Sequence, residues 1–333
     1  MQNILFTFLV VVTALGGLSL ASYIHYKKKQ RQPITCPLDS DCDTVVHSEY
    51  AYFLGLPVEL LGMFYYGLIA VVYGAFLFAP AVNTSLVVFL ILGASIVAFF
   101  FSLYLTFVQA VAIKEWCTWC LISAGLSTLV LLFSLAGLRF GLIALLEEYQ
   151  EVVKIMHLFG IALGVGGATI ANVFFFKFLK DLRISENEAD NMRTLSQVIW
   201  FALAVLVLSG IGTYLPHFSA LNASSNFLVK TAALAVLVAV GAVLNIFIAP
   251  RLVRISFGAE HDHEPGELHR ARKFAFALGV ISLLSWYAVF VLSVARAELL
   301  STFTLFLLYA LTLVIGVIAS QLIERSFSRR SMQ

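Results

Sequence analysis

Charge is the first thing this chain lacks. Only 12% of its 333 residues are charged and 61% are hydrophobic, whereas a soluble domain is roughly 25% charged and about 45–50% apolar. Lipid, not a water-surrounded core, must therefore be the main solvent. Backbone polar groups in a bilayer have to be satisfied internally, which leaves helices or a closed barrel. The apolar runs are about 20 residues long and do not alternate, so they read as helices. Net charge is only +2, which excludes a basic nucleic-acid footprint, and no nucleic-acid partner is expected. The start of the chain carries no positive charge, and no small-residue cleavage site follows its long apolar run. Residues 3–26 are therefore read as a first spanning helix, not a signal peptide. Cysteine is scarce as well. There are four, too few for a disulfide-stapled scaffold in a chain this long. The chain has no Gly-rich phosphate loop, no Ser/His/Asp arrangement worth defending, and no heptads, repeats or low-complexity tracts.

What is present is a series of apolar spans, at roughly 3–26, 60–79, 85–113, 117–139, 152–176, 197–215, 228–249, 274–295 and 302–323. The fold class read from them is an all-α polytopic membrane protein, four spans before a polar break and five after it. The break, from Arg139 to Lys154, reads as an amphipathic linker at the interface. The expected domains are 1–140, a linker over 141–151, and a second helical membrane domain over 152–333. Residues 51–58 are apolar but too short to span, and are expected to form an interfacial helix.

The four cysteines fall in two pairs. Cys117 and Cys120 stand three apart in Glu115-Trp116-Cys117-Thr118-Trp119-Cys120, at the mouth of a span. Cys36 and Cys42 enclose Pro-Leu-Asp-Ser-Asp, a short polar loop that can close a disulfide or open to a partner. Two thiol pairs at a membrane edge suggest a dithiol relay that hands electrons to an acceptor in the lipid. A helix N-terminus favours a thiolate, and thiolate attack on a disulfide sulfur is the exchange step. Structural zinc is the competing use of four cysteines, but zinc ribbons use two tight knuckles and Cys-x5-Cys is loose. Trp116 and Trp119 read as interfacial anchors, Ser48 as a helix cap or a functional hydroxyl, and Tyr104 as packing or as part of a ring-binding wall with Phe99 to Phe101.

Four features taken together resemble the bacterial and archaeal form of the vitamin K epoxide reductase family. They are Cys-x5-Cys-Asp at Cys36–Asp43, Ser48 six residues after the second cysteine, Phe53-Leu54-Gly55-Leu56-Pro57, and the late Cys-x-x-Cys. The resemblance covers roughly residues 5–139. It implies a four-helix bundle around a quinone, ubiquinone or menaquinone. The loop dithiol is then Cys36 and Cys42, the membrane-edge pair Cys117 and Cys120. Ser48 matches a polar position near the active site, and Phe53, Gly55 and Pro57 match a short helix that caps the quinone pocket. The implied order starts with a substrate dithiol attacking at Cys36. Cys42 then reduces the Cys117–Cys120 disulfide through Cys117, and Cys120 passes two electrons to the quinone. Many prokaryotic members carry a fused thioredoxin domain. Nothing after residue 139 resembles one, so a thioredoxin-like partner is expected in trans.

The second half has no cysteine. Its ionisable residues inside spans, His157 and Lys230, are functional candidates because burying such groups in lipid is costly. Gly160, Gly164, Gly166 and Gly167 are expected to allow close helix packing. This half faintly resembles membrane families of the copper-resistance D and membrane protoporphyrinogen oxidase type, which implies His157 as a ligand of b-type haem. The alternative is a hydrogen-bonded structural histidine. The loop His261-Asp262-His263, with His269, reads as a solvated loop or a metal site.

Charge and resemblance disagree on orientation. Nine spans put all four cysteines on the side that carries every lysine and arginine except Arg139, Lys154, Lys230 and Arg296, 17 of the 21. The positive-inside rule makes that side cytoplasmic. The family's usual placement is outside, where disulfides persist. Some members are inverted, and the reading adopted here is an inverted protein with cytoplasmic thiols. The expected function is a membrane thiol:quinone oxidoreductase that forms disulfides. A haem-binding electron-transfer protein and a redox-sensing transporter are the alternatives.

Overall fold

The structure is a computed structural model that describes residues 3–36, 41–138, 141–178, 186–222, 224–244, 267–294 and 300–330. Nine helices among the described residues are long and apolar enough to cross a membrane. The chain is an all-α polytopic membrane protein. It divides into two compact units, Met1–Tyr149 and Gln150–Gln333.

The first unit begins with α1 (Ile4–Lys29). Asn3 caps it by accepting the Leu5 N–H at 3.1 Å, and Lys27, Lys28 and Lys29 sit in its last turn, where cations complement the helix dipole. A short helix α2 (Cys42–Val46) follows, then a single 3-10 turn (Glu49–Ala51). The expected interfacial helix over 51–58 is not formed. In its place is a hairpin of β1 (Tyr52–Phe53) and β2 (Leu56–Pro57), with Tyr52 opposite Pro57 and Phe53 opposite Leu56. Leu54 and Gly55 both have positive φ, 50° and 78°. A two-residue turn with that backbone suits the right-handed twist of paired strands and cannot continue a helix.

Three further spans complete the bundle: α3 (Val58–Phe78), α4 (Ser85–Val108) and α5 (Thr118–Ala136). Between α4 and α5 the chain widens into a π-helical turn (Gln109–Ile113) and reverses at Lys114, a non-glycine residue at φ 61°. α1 packs between α3 and α5, and α4 packs on α5. Their core holds Val10, Ala14, Tyr66, Ile69, Tyr73, Ile91 and Val130. Two tyrosine hydroxyls inside it are satisfied. Tyr73 donates to Ser134 Oγ at 2.8 Å and Tyr66 to the Ser123 carbonyl at 2.7 Å. Gly17 is what lets the Tyr66 ring lie against α1, since a Cβ there would fall on the ring.

Residues 142–148 form α6 (Leu142–Glu148), whose Leu145 lies in the same core. Tyr149 stacks on Phe89 at 4.9 Å, and Ser85 donates to Glu148 at 2.6 Å. Most of the segment expected as a linker is thus built into the first unit.

The second unit contains α7 (Gln150–Phe178), α8 (Glu186–Tyr214), the short α9 (Phe218–Asn222), α10 (Ser225–Val243), α11 (Glu267–Val294) and α12 (Thr302–Arg330). α7 packs along α8, and α11 packs on α7, α10 and α12. The core gathers Ile161, Ala202, Leu206, Ala233, Leu237 and Trp286. The α7 glycines permit these approaches. A Cβ at Gly160 would stand 3.0 Å from the Leu206 nitrogen, and one at Gly164 would overlap Trp286.

Candidate active site

All four cysteines gather in one cluster of the first unit. Cys42 and Cys117 are fully buried there among Leu20, Ile24, Ile34, Val45 and Val46, with Cys36 and Cys120 packed against them and partly exposed. Cys36 and Cys42 are bonded to each other, with Cα atoms 5.7 Å apart, whereas Cys117 and Cys120 are free thiols.

Local interactions shape the loop pair. Asp41 caps α2 by accepting the Thr44 N–H at 3.0 Å, and this places Cys42 in the first helical turn. Hydrogen bonds from Thr44, the side chain first, hold the Asp41 carboxyl below its ordinary range. Asp43 Oδ1 accepts the Ile34 N–H at 3.3 Å, which ties the strand of chain before Cys36 back onto α2.

The membrane-edge pair is set by the turn before it. The reversal at Lys114 leaves Cys117 in extended backbone as the N-cap of α5, where its sulfur accepts the Cys120 N–H at 3.3 Å. The Cys117 N–H, buried, donates to the side-chain oxygen of buried Gln109 at 2.9 Å. The Cys117 thiol is lowered from its ordinary range. The Cys120 side chain contributes most to this, the backbone N–H groups of Cys120 and Trp119 add to it, and burial opposes it. Trp119 links the two pairs. Its indole N–H donates to the Thr35 carbonyl at 3.1 Å, next to Cys36, and its ring packs on Tyr23 at 5.6 Å. It is more than the interfacial anchor expected from sequence, whereas Trp116 is exposed, as an anchor is.

The remaining candidates lie as follows. Phe53 on the hairpin meets Phe101 edge-on at 5.3 Å, and Phe101 neighbours Tyr104 at 6.3 Å, so these form one aromatic group. Gly55 is the hairpin turn and Pro57 precedes α3 as its N-cap. Ser48 donates to the Val45 carbonyl at 2.7 Å. His157 belongs to the second unit. Its Nδ1 lies 3.0 Å from Ser209 Oγ, which donates its own proton to the Val205 carbonyl at 2.6 Å. Nε2 is buried with no partner among the described residues. His261 and His263 lie outside the described residues, as does the side chain of His269.

Two concave regions lie in the first unit, and the first of them borders the cysteine cluster. One, of about 510 Å³, is lined by Gly16, Leu20, Tyr23, Trp119, Ile122 and Leu126. The other, of about 400 Å³, is lined by His25, Lys28, Lys29, Tyr52 and Glu59. Gln109, Glu59 and His25 were not among the residues singled out from sequence. The available signal was a lone polar residue at the edge of an apolar run.

The first unit thus holds a loop cystine and a Cys-x-x-Cys helix cap in one cluster of a helical membrane bundle. Residues 8–135 match the model described as the vitamin K epoxide reductase family. No curated protein and no solved structure matches the chain.

Proposed function

We propose that the first unit is a thiol:quinone oxidoreductase that forms disulfides in a dithiol partner. One observation carries the reading: one member of each cysteine pair is buried, and one is partly exposed, within a single cluster. Cys36, the outer loop cysteine, meets the partner's thiolate. Cys42, the inner one, exchanges with Cys117. When Cys36 resolves the Cys42–Cys117 mixed disulfide, Cys117 departs as a thiolate. A thiol held below its ordinary range leaves faster. The arrangement in hand, an oxidised loop pair beside a reduced membrane-edge pair, is the state that step produces.

The second step oxidises Cys117 and Cys120 to a disulfide and reduces a quinone, as substrate, to a quinol. Two electrons leave the sulfurs, and the quinone oxygens gain two protons. The aromatic group Phe53, Phe101 and Tyr104 offers flat walls for the ring. The groove walled by Trp119 and Tyr23 gives an apolar approach beside the Cys-x-x-Cys. A thioredoxin-like protein in trans supplies the dithiol. The test is quinone-dependent oxidation of a dithiol by the purified protein. Turnover that survives loss of Cys117 would end the proposal.

A further inference from the structure

Two hydrogen bonds hold the chain just before Cys36. Ile34 is buried, at 4% exposure, in the cluster with Leu20, Ile24, Val45 and Val46. Its N–H donates to Asp43 Oδ1 at 3.3 Å, and Asp43 directly follows Cys42. The carbonyl of Thr35, the next residue, accepts the indole N–H of Trp119 at 3.1 Å. Trp119 stands inside the Cys-x-x-Cys, directly before Cys120. Its ring is seated in turn against Tyr23 of α1, at 5.6 Å. The approach to Cys36 is thus gripped from both sides of the exchange: from α2 beside Cys42, and from α5 beside Cys120. While the Cys36–Cys42 bond is closed, as it is here, that bond itself keeps Cys36 in place. The two hydrogen bonds matter once it opens.

We propose that Trp119 and Asp43 are positioning residues of the relay, which keep Cys36 within reach of the Cys42–Cys117 mixed disulfide so that Cys36 can resolve it. The inference rests on the thiol:quinone reading above and names the residues that steer its resolving step. By that point the partner's second thiol has displaced Cys36 and left it free. Cys42 is bonded to Cys117, and Cys36 is linked to Cys42 only along the chain. Cys36 loses its proton to water, and its thiolate attacks the Cys42 sulfur. The Cys36–Cys42 bond forms, the Cys42–Cys117 bond breaks, and Cys117 leaves as a thiolate with the electron pair. Each sulfur of the mixed disulfide has a neighbour in the chain that holds the residues before Cys36: Asp43 beside Cys42, and Trp119 two places after Cys117. Held in this way, Cys36 need not search for its target. Restraint of a reacting group raises its effective concentration and speeds the step.

The full-length protein in detergent, oxidised at both pairs, is mixed with one equivalent of reduced thioredoxin and no quinone. Samples are quenched with acid and alkylated, and the Cys42–Cys117 linked peptide is followed in time by mass spectrometry. Trp119→Phe keeps a ring beside Tyr23 and loses the N–H. The linked species should then last about 5-fold longer, the weight of one net hydrogen bond. Asp43→Ala removes the other acceptor and should act in the same direction. Asp43→Asn returns an acceptor oxygen and should recover most of the rate. Gly17→Ala disturbs the α1–α3 seam away from the loop. It should lower the thermal midpoint without lengthening the life of the linked species, which separates positioning from general loosening. A wild-type lifetime in Trp119→Phe or in Asp43→Ala would overturn the proposal and leave the exchange route standing. So would an equal lengthening in Gly17→Ala. If no protein forms the Cys42–Cys117 link at all, the exchange route of the reading above fails, and the proposal with it.

Discussion

At the scale of single residues, the site depends on what surrounds the Cys117 sulfur. The Cys120 side chain first, and then the backbone N–H groups of the first turn of α5, hold the Cys117 thiol below its ordinary range. The pH consequence follows in sign. A depressed folded-state value means that the anion, and the stabilisation it carries, persists as pH falls from the ordinary thiol range and is lost only at the lower folded value. Alkylation of Cys117 should therefore reach half its maximal rate below about pH 8.5, the ordinary free-thiol value. A pH series with iodoacetamide on the reduced protein checks this, and an ordinary titration would contradict it. Gln109→Ala leaves the buried Cys117 N–H without an acceptor. The cost should be about 1–3 kcal/mol, visible as a lower thermal midpoint in detergent. The cysteines were legible in the sequence because they are rare and paired. Gln109 and Glu59 were not, because one polar letter in an apolar run names no partner. Lys28 lies in a run of three lysines that reads as a topology signal, yet it is paired with Glu59.

At the scale of elements, the helices were legible because lipid demands long apolar segments, and nine such segments stand where the hydropathy places them. The stretch 51–58 was not. Its apolar letters suit a helix on a membrane surface, but Leu54 and Gly55 adopt positive φ and fold it into a hairpin that presents Phe53 to Phe101. Gly55→Ala should cost about 1–2 kcal/mol through the left-handed backbone, and quinone turnover should fall with it. Unchanged stability and turnover would show that the turn does not set the aromatic group. Gly17→Ala tests the α1–α3 seam. The new methyl must displace Tyr66 and its bond to Ser123, and overpacking of this kind costs about 1–3 kcal/mol. α6 leads to a sharper expectation for truncation. A chain ending at residue 149 keeps Leu145 in the core and Tyr149 on Phe89. One ending at Arg139 loses both, and should melt at lower temperature even if it binds detergent equally well.

At the scale of the whole molecule, a chemistry is proposed for the first unit and none is assigned to the second. Among the described residues there, the Nε2 of His157 is buried with no hydrogen-bond partner. Sequence flagged the residue as an ionisable group in a span, but not the Ser209 hydroxyl beside it. That contact joins residues 52 positions apart, beyond the reach of any local pattern. Orientation belongs to this scale too. The cations Lys27, Lys28, Lys29, Arg31 and Lys114 share the cysteine side of the first unit, and we propose that this side faces the cytoplasm. Reduced whole cells treated with a membrane-impermeant maleimide should leave Cys36 and Cys42 unlabelled until the membrane is opened. Strong labelling in intact cells would return the thiols to the outside.

The central claim is the order of the relay, and quinone reduction by cysteine variants tests it most directly. Purified protein is supplied with a quinone and either a small dithiol or a reduced thioredoxin-like protein. Cys120→Ala should abolish quinone reduction with both donors. Cys36→Ala should spare the quinone step with the small dithiol and block it with the protein donor. Full turnover in Cys120→Ala, or equal loss with both donors in Cys36→Ala, would contradict the roles assigned to the inner and outer thiols.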